Sequence, residues 1–364
     1  MIYWLALGVC ALLTVGITPL IIKLAFKVKA LDYQDERKVH SKTMPRLGGL
    51  AIYFSFLLGY ILFDVGALLP NEQMTSFMNA YLCASSVMVL LGVLDDIFQL
   101  SAGMKALAQL LTAIFLVSAG GFVIDQIFLP LLPPIQLGAF GFLFTIAWIV
   151  GVTNSINLID GLDGLSSGIT SISFLTVALI ALWQGESLIA LLSFILLGST
   201  LGFLVHNFHP AKIFMGDTGS LFLGFSVAIL SIMGYKYIAF VSFIVPLLML
   251  SVPLFDTLWA ICRRLLKGQS PFQADRGHLH HRLLDRQYGH VKTVLILYAI
   301  SGSFALTALV YTIYSKHLGV LCFLVVLAVL EALFDLTGFK RCLAKRRAKR
   351  LEIKEMKETE NTHQ

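Results

Sequence analysis

Four polar side chains recur at every third position of the stretch NSINLIDGLDGL, residues 154–165: Asn154, Asn157, Asp160 and Asp163. On a helix, residues three apart share a face, so this spacing makes one slowly rotating polar stripe. Apolar runs lead into and away from the stretch (LGAFGFLFTIAWIVGV and ITSISFLTVALIALW). An Asp near a bilayer centre costs about 2.5–3.5 kcal/mol, so carboxylates beside such runs need a use or an exit to water. Gly161, Gly164 and Gly168 loosen the helix there and admit a ligand to the backbone. Further polar groups stand at the ends of other apolar runs. Asp95 and Asp96 are adjacent, Asp217 lies in HNFHPAKIFMGDTGS, and Asp275, Arg276, His278, His280 and His281 lie in PFQADRGHLHHRL. Converging carboxylates repel by about 4 kcal/mol per pair at about 4 Å and an effective dielectric of about 20. A hard divalent cation relieves that repulsion. Mg²⁺ suits oxygen ligands and substrate phosphates, with Mn²⁺ as the alternative. Cationic and histidine groups nearby suit phosphate oxygens. The run Gly216–Ser220 opens a helix whose first amides suit an anion. Together these residue types indicate phosphoryl or pyrophosphate chemistry. The HLHH run alone lacks the cysteines or the spaced helical pattern of a zinc site.

The elements that must position these groups are membrane spans. Hydrophobic residues make up 57% of the 364 and charged ones 13%, and mean hydropathy is +0.84. Soluble chains run about 25% charged, so composition excludes a soluble domain and predicts an all-α polytopic integral membrane protein. About eleven spans are expected, near 2–24, 48–66, 77–94, 104–121, 138–157, 166–183, 187–205, 219–235, 238–261, 293–314 and 317–336. Pro130, Pro133 and Pro134 make 122–137 an external loop or interfacial segment. Positive charge sorts the loops. One set carries Lys27, Lys29, Arg37, Lys38, Lys42, Arg46, Lys105, Lys212, the basic residues of 263–292 and the tail; the other carries Lys236 and Lys316. The positive-inside rule then sets the N-terminus outside, the C-terminus in the cytoplasm, and every one of the grouped carboxylates and histidines on the cytoplasmic side. Asp64, Glu72, Asp125 and Glu186 fall outside, as solvated loop charges. The first span has no basic n-region or cleavage site and reads as retained. The five cysteines are scattered packing residues. Residues 1–339 read as a transmembrane catalytic domain, and 340–364 as a basic cytoplasmic tail lying on anionic lipid. No nucleic-acid motif is present.

Taken together, these stretches resemble the polyprenyl-phosphate N-acetylhexosamine-1-phosphate transferases. The resemblance runs from RKVHSKTMPRLGGLA through LGVLDDIFQLSA, NSINLIDGLDGLSSG and HNFHPAKIFMGDTGSLFLG to PLFDTLWAICRRLLKGQSPFQADRGHLHHRL. It is nearest the GlcNAc-1-phosphate branch that initiates wall teichoic acid, because the HLHH loop replaces the run of three adjacent histidines typical of the peptidoglycan enzyme. Gln99 departs from members with a third acidic residue after the Asp pair, and that position reads as dispensable. The resemblance implies that Asp217 ligates Mg²⁺, with Asp160 as a further ligand. It implies that Asp95 contacts or deprotonates the lipid phosphate, with Asp96 as its partner, and that Asn157 and Asp160 line the catalytic pocket. Asp163 and Asn207 match nucleotide-pocket residues, Phe214 an aromatic against uracil, and His278, His280 and His281 a loop that binds phosphate or helps build the site. Lys42, Arg46, Asn154, Gly161, Leu162 and Arg276 complete the expected substrate-binding set.

The implied reaction joins UDP-GlcNAc and undecaprenyl phosphate into undecaprenyl-diphospho-GlcNAc and UMP, with another UDP-HexNAc or UDP-MurNAc-pentapeptide as the alternative donor. Membrane lipids and a second copy of the chain, as a homodimer, are the other expected partners. A secondary transporter predicts polar groups near the midplane rather than at span ends. A CDP-alcohol phosphotransferase needs an arginine soon after its DG, which DGLDGLSSG lacks. A structural scaffold leaves the one-sided carboxylates unexplained.

Overall fold

A computed structural model describes residues 1–32, 43–128, 133–237, 243–266, 268, 277–314 and 316–336. Lys42, Arg276 and the tail 340–364 lie outside the described residues. The chain runs α1 (Ile2–Lys27), β1 (Leu31–Asp32), β2 (Met44–Pro45), α2 (Gly48–Leu62), α3 (Glu72–Phe98), α4 (Ala102–Gly120), β3 (Gln126–Ile127), β4 (Ile135–Gln136) and α5 (Phe140–Ile159). It continues α6 (Leu165–Gln184), α7 (Ser187–Asn207), α8 (Gly216–Tyr237), α9 (Ile244–Met249), α10 (Ser251–Leu266), α11 (Leu279–Leu284), α12 (His290–Ile313) and α13 (Lys316–Leu336). The all-α polytopic expectation holds, with two small antiparallel ribbons added: Leu31 opposite Pro45, and Gln126 opposite Gln136. The second ribbon is the part of 122–137 expected as a loop.

Among the described residues, eight helices are long and apolar enough to cross a membrane: α1, α3, α4, α5, α6, α7, α12 and α8 as far as Met233. Each coincides with an expected span. The expected spans at 48–66 and 317–336 contain shorter apolar helices, Gly48–Leu62 and His317–Ala328. The expected span 238–261 is corrected. Its described part is two helices, α9 and α10, meeting at Leu250. Pro246 and Pro253 supply no backbone N–H around that joint. The second helix carries Asp256, Arg263 and Arg264 and is amphipathic rather than apolar throughout.

Burial sorts the helices. The apolar stretches of α8, α7 and α6 are 89%, 83% and 78% buried, whereas those of α1 and α4 are 28% buried, so the first three form the inside. α3 and α5 pack on α8, α1 and α6 on α7, and α12 on α6. Outward leucines such as Leu12, Leu20, Leu107 and Leu111 are exposed, as a lipid-facing surface requires. Inside, polar groups find partners across helices. Tyr81 donates to Ser226 (2.9 Å), the Trp148 indole N–H to Ser231 (3.1 Å), and Ser55 to the Cys10 carbonyl (2.8 Å). Such interhelical bonds average about 0.6 kcal/mol.

Two close approaches set the depth of α8. A Cβ on Gly92 of α3 would lie 2.4 Å from the Thr218 Cα, and one on Gly49 of α2 would lie 2.1 Å from the Gly219 nitrogen. The first turn of α8 is thereby wedged between α2 and α3. The C-terminal ends of α3, α5 and α7 and the N-terminal ends of α4, α6 and α8 meet at one end of the bundle, joined by side-chain hydrogen bonds among them.

Candidate active site

The centre of that end is a carboxylate group with an ammonium inside it. One carboxylate oxygen from each of Asp95, Asp96 and Asp217 lies within 4.8 Å of the others. The Lys105 Nζ donates to Asp217 Oδ2 at 2.7 Å and to Asp95 Oδ2 at 3.2 Å. The local sequence explains how they meet. α3 ends at Gln99, which is left-handed (φ 53°) and whose amide donates to the Asp95 carbonyl. Ser101 then caps α4 by accepting from Met104. So tight a turn folds the first turn of α4, with Lys105, back over the last turn of α3. Gln99 itself is exposed at the helix terminus.

Asp96 has a different task from its neighbour. Its Oδ1 accepts from the Asp217 amide (3.0 Å), and its Oδ2 from the Thr218 amide (3.1 Å) and hydroxyl (2.6 Å). It caps α8 from another helix. The first amides of that helix, expected to receive a substrate anion, are occupied by the protein's own carboxylate, which is corrected accordingly. Gly216 (φ 70°) is required beside it, since a Cβ there would sit 2.3 Å from Asp96 Oδ2. With Asp96 engaged in this way, Asp95 and Asp217 are the oxygens best able to hold a hard cation, and an all-oxygen set of this kind fits Mg²⁺. Asp160, expected as a further ligand beside Asp217, is not in that oxygen group. It follows the last residue of α5, outside the spans, and its carboxyl is pushed up to about 8, by burial first and then by the charges of Asp217 and Asp96, against the pull of Arg46.

The remaining expected residues divide into those at the centre and those that hold it. Asn157 donates to Ser220 (2.8 Å), in the first turn of α8 beside Asp217. Asn154 faces α4: its amide donates to the buried Gln109 (2.6 Å) and to the Val150 carbonyl (2.9 Å), so it locks helices instead of offering donors to substrate. Asn207 is likewise engaged. Its oxygen accepts from the Gly164 amide (3.1 Å) and Ser167 (3.0 Å), and its amide donates to the Ile213 carbonyl (3.0 Å). It ties the 160–164 loop to the segment before α8. Leu162 is buried at 6% exposure. Phe214 is half-buried and strapped to β2, its amide donating to the Pro45 carbonyl (2.9 Å). Arg46 pairs with Asp32 at 3.1 Å. Asp163 accepts from His209 (2.8 Å) and the Ala211 amide (3.2 Å).

The histidine segment closes one side. Asp256 of α10 accepts from the Leu279 amide (2.8 Å) and lies 2.9 Å from His278 Nδ1, so one carboxylate caps α11 and fixes the His278 ring. His278 and Asp256 are both 5% exposed. His280 lies against the loop: a Cβ on Gly161 would stand 2.6 Å from its Nε2. Burial first, then the neighbouring His281 charge, lowers its pKa to about 3, so His280 is neutral at physiological pH. The His281 ring is 4.3 Å from that of His280.

Sequence reasoning missed Lys105 as a site residue, counting it only as a loop charge. The signal was its place ten residues after Asp95, in the first turn of the next helix. It also missed Thr218, Ser220, Asp256 and Tyr298, whose hydroxyl donates to the Gly164 carbonyl. Thr218, Ser220 and Tyr298 have no distinguishing residue type, whereas Asp256 was a carboxylate inside an expected span.

The glycosyl transferase family 4 profile matches residues 78–235, which hold Asp95, Asp96, Lys105, the 160–164 loop and Asp217. The probable undecaprenyl-phosphate N-acetylglucosaminyl 1-phosphate transferase of Bacillus subtilis (strain 168) is 42% identical over 333 residues, covering 91% of this chain and 91% of the relative. The chain belongs to glycosyl transferase family 4. Another relative is the decaprenyl-phosphate N-acetylglucosaminephosphotransferase of Mycobacterium leprae, 36% identical over 82% of this chain and 81% of its own. The undecaprenyl-phosphate alpha-N-acetylglucosaminyl 1-phosphate transferase of Escherichia coli (strain K12) is 30% identical over 72% and 71%. The family 4 profile ends before the histidine segment, but the Bacillus alignment covers most of the chain.

Proposed function

We propose that this protein transfers GlcNAc-1-phosphate from UDP-GlcNAc to undecaprenyl phosphate, giving undecaprenyl-diphospho-GlcNAc and UMP. This is the first membrane step of a cell-wall polymer, wall teichoic acid or a related glycan. The observation that carries the reading is the Asp95–Lys105–Asp217 centre at one end of the bundle, in a chain whose relatives are named for N-acetylglucosamine phosphate transfer to undecaprenyl or decaprenyl phosphate. Mg²⁺, when bound, would neutralise pyrophosphate charge as UMP departs, held by Asp217 and Asp95. An oxygen of the lipid phosphate forms the new bond to the phosphorus that carries GlcNAc, and the bond from that phosphorus to the UMP oxygen breaks. A phosphate monoester has its second pKa near about 6 and is largely dianionic at neutral pH. It needs no strong base, so Asp95 acts in positioning the acceptor. The Lys105 ammonium is placed to donate to phosphate oxygens. Asn157, Asp160 and the histidine segment line the donor side.

In the same reading, the N-terminus lies outside and the C-terminus in the cytoplasm, with residues 1–339 as the catalytic domain and 340–364 as the basic tail. The basic loops support this orientation, and it brings the site to the side where UDP-sugars are made. The test is purified protein in detergent with radiolabelled UDP-GlcNAc, undecaprenyl phosphate and Mg²⁺. Wild type is expected to make labelled lipid. Asp217→Asn or EDTA is expected to lower the rate by about 10²-fold or more, as loss of one key electrostatic stabiliser does. A folded wild type that labels lipid from UDP-GalNAc or UDP-MurNAc-pentapeptide but not from UDP-GlcNAc would overturn the donor. No product from any of them would overturn the reaction class.

A further inference from the structure

A second group of ligand-type side chains converges away from the carboxylate–lysine centre. Asp163 of the 160–164 loop, His209 between α7 and α8, and His290 at the start of α12 bring a carboxylate oxygen and two imidazole nitrogens within 4.8 Å of one another. His209 Nδ1 stands 2.8 Å and His290 Nε2 4.0 Å from the same oxygen, Asp163 Oδ2. The Ala211 amide also reaches that oxygen, at 3.2 Å. The His290 Nε2 atom is buried and, among the described residues, has no hydrogen-bond partner. Buried polar atoms are rarely left so. Here the bare nitrogen faces a carboxylate oxygen too distant for a hydrogen bond, with a second imidazole beside it, its ring centroid 4.3 Å away.

We propose that Asp163, His209 and His290 form a second cation site, of the chemistry that takes Zn²⁺. The donor sets separate the two sites. The oxygens of Asp95, Asp96 and Asp217 suit a hard ion such as Mg²⁺, whereas two imidazoles and one carboxylate suit zinc. Bonds of about 2.0–2.1 Å around a tetrahedral zinc set its ligand atoms about 3.3 Å apart. The separations of 2.8 and 4.0 Å lie on either side of that value, so small side-chain movements suffice. The two rings turn out of their stack to aim lone pairs at the ion. His209, whose side chain is 41% exposed, has room to turn and gives the ion its entry path. Three protein ligands leave a fourth position for water. The ion would pin the loop carrying Asp160 and Asp163 to both the segment before α8 and the start of α12.

The test reads metal rather than activity, and so fails or succeeds independently of the proposed transfer. Full-length protein in detergent is stripped with chelator, equilibrated with ZnCl₂ in an excess of MgCl₂, and its bound zinc is counted by elemental analysis. Wild type is expected to retain a single ion per chain despite the Mg²⁺. The His209→Ala/His290→Ala double variant is expected to bind zinc more weakly by more than about tenfold, since even outer-shell losses cost that much. Its thermal unfolding reports whether it folds. If it does not, Co²⁺ added to the wild type decides: intense visible bands of a tetrahedral site, bleached by Zn²⁺, are expected. A folded wild type that retains no zinc, wild-type retention in the double variant (which would assign the ion to His278, His280 or His281), or absent tetrahedral Co²⁺ bands would each overturn the proposal.

Discussion

One ammonium group holds the space between Asp95 and Asp217, and the two carboxylates without it would repel. At about 4 Å and an effective dielectric of about 20, such a pair costs on the order of 4 kcal/mol, and partial exposure of these side chains screens some of it. Lys105→Ala is therefore expected to lower the unfolding midpoint in EDTA, and Mg²⁺ is expected to restore much of the loss. The same fall in both buffers would make Lys105 a packing residue and nothing more. Asp96 and Asp95 are neighbours in sequence but not in role. Asp96→Ala removes the cap of α8 and orphans the buried Thr218 amide and the part-buried Asp217 amide. Cap removal costs about 0.5–2 kcal/mol, and each orphan adds to that. Thermal unfolding should show Asp96→Ala more destabilised than Asp95→Ala. The reverse order would mean that the cap contributes little.

At the scale of elements, the site depends on how deeply α8 sits between its neighbours. Glycine at 92 permits α3 to approach Thr218 so closely that Asp95 and Asp96 reach the first turn of α8. Gly92→Ala inserts a methyl 2.4 Å from the Thr218 Cα, and overpacking of this kind costs about 1–3 kcal/mol. Size-exclusion profiles and unfolding midpoints should show less folded protein and lower stability. An unchanged midpoint would show slack between α3 and α8. The break between α9 and α10 works in the same way. It sets Asp256 where it caps α11 and holds His278, which a straight span through 238–261 would not do. Hydropathy registered the apolar residues there, but not that the prolines and the charged face of α10 divide them.

At the scale of the molecule, the burial that forms the site also sets its acid sensitivity. The pKa of His280 is lowered from 6.5 to about 3 by burial and the nearby His281 charge. Between about 6.5 and about 3 the unfolded chain therefore binds a proton that the folded chain refuses. Stability contributed by this group is present above that window and is lost as pH falls through it. Thermal unfolding in detergent should show a shallower acid loss for His280→Gln than for wild type, and parallel curves would discard the assignment.

The sequence by itself determined the helical membrane class, the placement of eight long spans, and the list of carboxylates, asparagines and histidines at their ends. Apolar run length and residue type are local properties, readable without contacts. Only the tertiary structure decided what each polar group does. Asp95 and Asp96, or Asn154 and Asn157, are alike by type and spacing, yet Asp96 caps a helix, Asn154 locks α5 to α4, and Asp95 and Asn157 face the centre. Lys105 and Asp256 gained their places because helices far apart in sequence pack at glycine-width distances and end at one level. A side chain's role follows from which partner lies within hydrogen-bond reach, and that is settled by packing between helices rather than by the order of residues along any one of them.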